Sequence, residues 1–348
     1  MKILLTGGAG FIGSHFIKKA IRDGRCVVNV DKLTYAGNLN NLESCQNHPQ
    51  HHFYKCDVCD HTLLEKIFTE EQPDVVVHMA AESHVDRSID NGGVFVETNV
   101  VGTFTLLQTS LSYFRGLNEN RKERFRFLHI STDEVFGTLA PTEGKFCETT
   151  PYRPNSPYSA TKASSDLLVK AFQRTYGLPC IIANATNNYG PFQYPEKLIP
   201  VVILNAFSQK PIPIYGDGKQ IRDWLFVEDH VEALFTLLSR GKIGESYCIG
   251  AENEWTNIDI VCKICEILDT VKPTKMRSYK HLITFVEDRP GHDRRYAVDA
   301  SKIRQSIGWY VRHPMEEGLT ETVNWYVNNF NRLNNLFDRH RLGVKRGR

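Results

Sequence analysis

The chain has 348 residues, 41% hydrophobic and 24% charged, with 42 Lys and Arg against 40 Asp and Glu for a formal charge of +2. That composition excludes a disordered chain, supplies apolar material for one large α/β unit or about two domains, and lacks the basic excess of a nucleic-acid-binding surface. Apolar runs such as Val201 to Phe207 fall far short of the ~20 residues of a membrane span.

The N-terminal apolar run stops at Leu5, too early for a secretory leader, and nine cysteines, an odd number, read as the reduced thiols of a cytoplasmic protein. Lys2–Thr6 predicts the first strand, and Phe11–Gly24 predicts the helix after it. Between them lies Thr6-Gly7-Gly8-Ala9-Gly10-Phe11-Ile12-Gly13, in which Gly8, Gly10 and Gly13 fit G-x-G-x-x-G and Gly7, Gly10 and Gly13 fit a wider variant. Glycines there let the backbone turn tightly against a pyrophosphate, and the helix start offers free N–H groups.

Cys26–Val30 predicts the second strand, with Asp31 at its end, 18 residues past Gly13. An acid at that point accepts the two ribose hydroxyls and repels a 2′-phosphate, so the cofactor expected is NAD, with Lys32 pulling weakly the other way. His52–Cys56 predicts a third strand leading to Asp57, placed for an adenine edge; a helix follows at Asp60–Gln72. Asp74–His78 is nearly all valine, as in a strand covered on both faces, and closes on the small Ala80 and Ala81, which leave room for a flat cofactor. Phe11, Ile12, Leu33, Thr34 and Val58 adjoin these positions and complete the candidate cofactor contacts on this side of the sheet.

A helix is predicted at Gly93–Arg115 and a strand at Phe125–Ile130, followed by Ser131-Thr132-Asp133-Glu134-Val135-Phe136-Gly137. Residues just past a strand's carboxyl end line the cleft in such sheets, and an adjacent Asp and Glu suit an acid and a base on neighbouring carbons; a solvated acidic turn is the alternative. Tyr158 and Lys162 share one face of the helix predicted at Tyr158–Tyr176. A tyrosine acting as base near pH 7 needs its pKa lowered by about 3 units, about 4 kcal/mol. An ammonium ~4 Å away at an effective dielectric near 20 supplies a comparable amount.

Cys180–Ala185 completes a series of strands joined by helical crossovers, which predicts a doubly wound parallel sheet. After Asn187 the prolines 191, 195, 200, 211 and 213 break the chain into shorter pieces, with helices expected at Glu196–Gln209, Asp229–Arg240, Thr256–Leu268 and Met315–Phe330. The last carries Leu319, Val323, Val327 and Phe330 as one apolar stripe. The organisation expected is an NAD-binding domain over residues 1–187, a smaller, partly interleaved substrate domain over 188–330, and a frayed basic tail over 331–348. Cys56-x-x-Cys59, Cys262-x-x-Cys265 and the histidines 48, 51 and 52 read as ordinary thiols and a polar surface, so no metal is expected.

The stretches TGGAGFIGSHF, DKLTYAGNLNNL, AAESHVDRSI, STDEVFG, PNSPYSATKASSD, NNYGPFQYPEKLIP, YGDGKQIRDWLFVEDH and DRPGHDRRYAVDASKI are long and specific. Through them the chain, from Met1 to about Phe330, resembles the extended short-chain dehydrogenase/reductase family, in its dehydratase branch. The resemblance implies tightly held NAD and a nucleotide-sugar substrate, dTDP-glucose, that loses water. Tyr158, Lys162 and Thr132 would then serve oxidation at C4, Glu134 would be the C5 base and Asp133 the acid at C6. Asn187, Lys197, Leu198, Pro213, Tyr215, Arg222, Asn257, Arg289, His292 and Tyr296 would hold the nucleotide diphosphate, while Ser83, Thr98 and Asn188 would border the sugar or nicotinamide. It also implies a homodimer formed through the helices near Gly93–Arg115 and Tyr158–Tyr176. Phe136 departs from the family's usual tyrosine, and a local packing change is expected there. A UDP-sugar dehydratase, a 4-epimerase and a silent NAD-binding scaffold are the alternatives.

Overall fold

The computed structural model describes residues 1–275 and 278–333. Seven parallel strands form the central sheet: β1 Lys2–Thr6, β2 Cys26–Asp31, β3 His51–Lys55, β4 Val75–His78, β5 Arg126–Thr132, β6 Cys180–Ala185 and β10 Ser246–Ile249, in the order β10-β6-β5-β4-β1-β2-β3. The order reverses beside β1, so the carboxyl ends of β1, β4 and β5 open onto one crevice. Helices α1 Phe11–Arg22, α9 Val227–Arg240 and α11 Ser301–Ile307 cover one face, where Phe16, Leu234 and Ile303 are buried. Helices α2 His61–Glu71, α5 Gly102–Gly116 and α7 Pro157–Tyr176 cover the other, burying Leu64, Leu106 and Val169. The doubly wound expectation therefore holds.

Local chemistry explains where these helices begin and end. Asp60 caps α2 by accepting from Leu63 N, 3.0 Å. Ser156 and Ser159 form a reciprocal capping box at α7 with Pro157 in its first turn, and Gly177 closes the helix in the left-handed region (φ 71°). The single helix expected over Gly93–Arg115 is interrupted: after α3 Val85–Asp90 and α4 Gly92–Phe95, a π-helical segment spans Val96–Val101 before α5. The widening centres on buried Asn99, whose amide bonds Glu82 N at 2.9 Å, Glu82 O at 3.0 Å and Thr161 Oγ1 at 2.9 Å. A short α6, Glu119–Arg124, precedes β5.

The second unit contains β7 Asn187–Tyr189, β9 Ile221–Phe226 and β11 Glu254–Thr256 in one small sheet, and β8 Ile212–Tyr215 paired with β12 Ile283–Val286 in another. Its helices α8 Leu198–Phe207, α10 Asn257–Val271 and α12 Met315–Asn328 share a core of Ile203, Ile264 and Val323. Of the α12 stripe, Leu319 and Val323 are fully buried, while Val327 and Phe330 pack at the margin. A cut between residues 187 and 188 does not divide the packing. Strand β10 pairs with β6, and α9 and α11 return to the first core, because the sheet's outer edge and one face would otherwise expose Ile181 and Ala183. Of the tail expected over 331–348, the described residues 331–333 are packed instead: Leu333 is buried and Arg332 reaches Glu43 Oε2 at 3.2 Å; residues 334–348 lie outside the described residues.

No described helix is long and apolar enough to cross a membrane. Among the described residues no group of three His, Cys, Asp or Glu side chains is disposed to hold a metal ion. His51 bonds Asn29 and His52 pairs with Glu71, so the clustered histidines serve the local structure.

Candidate active site

One cleft runs along the carboxyl ends of β1, β2 and β4 and is lined by Gly7, Gly10, Phe11, Ile12, Gly13, Asp31, Lys32, Thr34, Asp57, Val58, Ala80, Ala81, Ser83, Thr98, Tyr158, Lys162 and Lys197. Gly7 takes φ 77°, and a Cβ there would stand 2.8 Å from Ala80 N; one on Gly13 would stand 2.2 Å from Gly7 O. The loop therefore packs so closely that only glycine fits, and the start of α1 has no side-chain cap at Gly10, leaving its N–H groups for an anion. Asp31 is fixed by Ala9 N at 2.9 Å and Leu33 N at 2.8 Å, and burial raises its pKa against those bonds. Lys32 Nζ pairs with Asp57 Oδ2 at 2.5 Å, which satisfies the cation that would otherwise favour a 2′-phosphate. This cradle and its fixed acid fit NAD.

At the inner end of the cleft, α7 and the turn after β5 meet. Asp133 is almost wholly buried; its pKa lies well above the usual carboxylate range, first through burial and then through the charge of Glu134. Thr132 Oγ1 donates to Asp133 Oδ1 at 3.3 Å and accepts from Glu134 N at 3.2 Å, holding the two acids apart. The Glu134 pKa is also raised by burial, but Lys197, Arg222 and Arg289 oppose the rise. The environment thus treats the two acids differently: burial and the charge of Glu134 favour the protonated form of Asp133, while three cations favour the carboxylate of Glu134 against the opposing effect of burial. Burial raises the Tyr158 phenol well above its usual value, the charges of Glu134 and Asp133 add to this, and a hydrogen bond with Thr132 works the other way. Lys162 is itself pushed down to about 8 by burial, and its Nζ donates to Ile130 O at 2.7 Å. The expected lysine effect on Tyr158 is therefore not dominant in the protein alone; burial outweighs it.

A basic, aromatic cluster stands beyond Glu134. Arg222 lies over the Tyr296 ring at 4.2 Å and donates to Asp293 O at 3.0 Å; Tyr296 OH donates to Asp293 Oδ2. Arg289 meets Asp86 Oδ1 at 3.2 Å, its buried Nε having no hydrogen-bond partner among the described residues. His292 bonds Asp288 Oδ1 at 2.6 Å and stands edge-on to Tyr215. Lys197 Nζ donates to Ser83 O at 2.7 Å, joining the cluster to the cleft. On β7, Asn187 Oδ1 is buried with no hydrogen-bond partner among the described residues.

Three expected substrate residues sit on separate elements: Leu198 opens α8, Pro213 lies on β8 opposite Thr284, and Asn257 opens α10 with its N–H on Gln220 O. Two expected cofactor residues are not among those lining the cleft. The Asn188 side chain is spent on Thr186 O and His230 Nδ1, and the Leu33 backbone turns through φ 58° to hold Asp31. Phe136 is buried against Phe146 and Tyr152, so its departure from tyrosine is absorbed by packing.

Glu82, Gln193, Tyr194 and Glu196 also line the cleft but were not singled out from the sequence. Glu196 Oε1 accepts from Tyr35 OH at 3.1 Å, latching the loop after β2 over the cleft. Its position next to Lys197 is the one sequence signal that pointed there.

The family model described as GDP-mannose 4,6 dehydratase matches residues 4–322. The dTDP-glucose 4,6-dehydratase of Neisseria meningitidis serogroup B is 54% identical over 351 residues, covering 99% of this chain and 99% of that protein. The dTDP-glucose 4,6-dehydratase of Streptomyces venezuelae, solved with NAD bound, superposes with a TM-score of 0.88 at 40% identity, covering 97% of this chain and 100% of the other. That of Bacillus anthracis, also solved with NAD, gives a TM-score of 0.85 at 43% identity over 97% of this chain and 99% of the other.

Proposed function

The chain belongs to the dTDP-glucose 4,6-dehydratase family, and from that premise we propose its reaction: loss of water from dTDP-glucose to give dTDP-4-keto-6-deoxyglucose. When bound, NAD supplies the hydride acceptor for C4 and the hydride donor for C6. Tyr158, with Lys162 and Thr132, takes the C4 hydroxyl proton. The ketone so formed acidifies the C5 proton, which Glu134 removes while Asp133 protonates the departing C6 hydroxyl; C5 is reprotonated at the end. The observation that carries this reading is the pair of adjacent acids just past β5 with divided environments: burial and a neighbouring charge favour a protonated Asp133, as an acid requires, while Lys197, Arg222 and Arg289 favour the carboxylate of Glu134, as a base requires.

Lys197, Arg222 and Arg289 would neutralise the diphosphate, arginine forking onto its oxygens, with Tyr296, His292, Tyr215 and Asn187 beside them. Asp31 and Asp57 would hold the adenosine half of NAD, and Gly7, Gly10 and Gly13 its pyrophosphate. Residues 1–187 supply most of the NAD site, and 188–330 most of the nucleotide-sugar site. Purified protein should form the 4-keto sugar from dTDP-glucose at least tenfold faster than from UDP-glucose, read as keto-sugar absorbance in base. Equal rates with both would overturn the thymidine preference, and a product inverted at C4 with no ketone would overturn dehydration.

A homodimer in the cytoplasm completes the proposal. Val94, Val96, Val101, Phe104 and Leu167 leave apolar side chains exposed along α4, the π-helical segment, α5 and α7, a face suited to a second copy. Light scattering at micromolar concentration should return twice the chain mass; a monomer would contradict it.

A further inference from the structure

Resting on the dehydration proposed above, we infer that Asp166 is a positioning residue for it: the carboxylate ties the catalytic end of β5 to α7 and keeps Lys162 an ammonium beside Tyr158. Helix α7 carries Tyr158, Lys162 and Asp166 at four-residue intervals, hence on one face. Asp166 is fully buried. Its Oδ2 accepts from Ser131 Oγ at 2.9 Å, Tyr152 OH at 2.9 Å and Asn184 Nδ2 at 3.1 Å, and its Oδ1 lies 3.2 Å from His129 Nε2. Asn184 Nδ2 also reaches Thr132 O at 3.3 Å. Lysine and aspartate thus grip consecutive residues of β5: Lys162 holds Ile130 O, and Asp166 holds Ser131, immediately before Thr132, Asp133 and Glu134.

The neighbours leave Asp166 as the counter-charge. From β4, His78 is held neutral far below its usual range by burial. From β5, His129 is pushed down to about 4, first by burial and then by Lys162. Tyr152 is raised by burial and by Asp166 and receives a bond from Lys170 at 3.2 Å, and Asp133 and Glu134 act on Tyr158. Burial draws Lys162 down to about 8 against the charge of Asp166, while Asp166 itself sits below its usual value because His129, Lys162 and Ser131 outweigh burial. Removing the carboxylate lets Lys162 lose its proton at lower pH, so Tyr158 loses its cationic partner and ionises only at higher pH.

The test is kcat against pH for the NAD-loaded wild type, Asp166→Asn and Asp166→Glu, with NAD content and melting temperature measured on the same samples. Asp166→Asn should lower kcat at pH 7.5 about tenfold and move the acid limb up by about one unit, the two being the same displacement. Asp166→Glu, which keeps the charge, should leave the limb at the wild-type pH. In a Lys162→Met background Asp166→Asn should move the acid limb no further. A uniform loss at every pH, or an unmoved limb in Asp166→Asn, would overturn the inference. Should that variant fail to fold, the Nζ resonance of Lys162 in ¹⁵N-labelled wild-type holoenzyme, assigned with Lys162→Met, should be that of an ammonium at pH 7.5; a neutral amine would overturn the inference. That measurement needs no turnover. It can therefore overturn the role of Asp166 even if wild type makes no 4-keto sugar, which would refute the reaction instead.

Discussion

Glu134→Gln is expected to cut formation of the 4-keto-6-deoxy sugar by about 10³-fold, within the range general base catalysis contributes. The amide keeps the side chain's length and its place in the turn whose Glu134 N bonds Thr132 Oγ1 at 3.2 Å, but it cannot take the C5 proton. Exchange of C5 hydrogen with solvent deuterium should disappear along with product. The fold should not suffer. A carboxyl whose native pKa is raised contributes stability at low pH and loses it as pH rises through the carboxylate range, so its charge costs stability at neutral pH. The melting temperature of Glu134→Gln at pH 7.5 should equal or exceed that of wild type. Retained C5 exchange in this variant would remove Glu134 from the role of base.

Tyr158→Phe should be as damaging, with a loss of about 10³-fold, because it removes the proton acceptor for the C4 hydroxyl. Tyr158 is 9% exposed and rests edge-on against Phe95, so the phenyl ring should pack unchanged and bound NAD should be retained. Wild-type kcat should rise with pH as the phenol, held high by burial, gives up its proton to form the active phenolate. Residual activity of Tyr158→Phe should lack that rise. Rates for the two proteins across pH 6 to 10 check this, and an acid limb surviving in the phenylalanine variant would assign it to another group.

Features encoded over short spacings were legible in the sequence. Gly7 and Gly13 announce a turn that no other residue fits, and Tyr158 and Lys162 share a face through helix geometry alone. The pair Asp133 and Glu134 could be placed at a strand end, but its spacing alone left a solvated turn open; the family resemblance set that alternative aside, and the burial of Asp133 agrees.

What the sequence hid depends on long-range packing. Strand β10 is four residues long and joins the sheet 61 residues after β6 ends, so its partner is chosen by the open sheet edge and not by its own pattern. The π-helical break follows from Asn99 reaching Glu82 and Thr161, contacts no helical periodicity reveals. The cationic cluster was reached only through family resemblance, since Lys197, Arg222 and Arg289 come from three distant segments. Asn188 was also reached through resemblance, and its position next to Asn187 gives no sign that its side chain bonds His230.

A single label follows the whole reaction. With dTDP-glucose deuterated at C4, oxidation at C4, elimination across C5 and C6 and reduction at C6 predict a 4-keto-6-deoxy product that carries the deuterium at C6. Deuterium retained at C4 of an inverted sugar, or washed into water with no 6-deoxy product, would contradict internal dehydration by this chain.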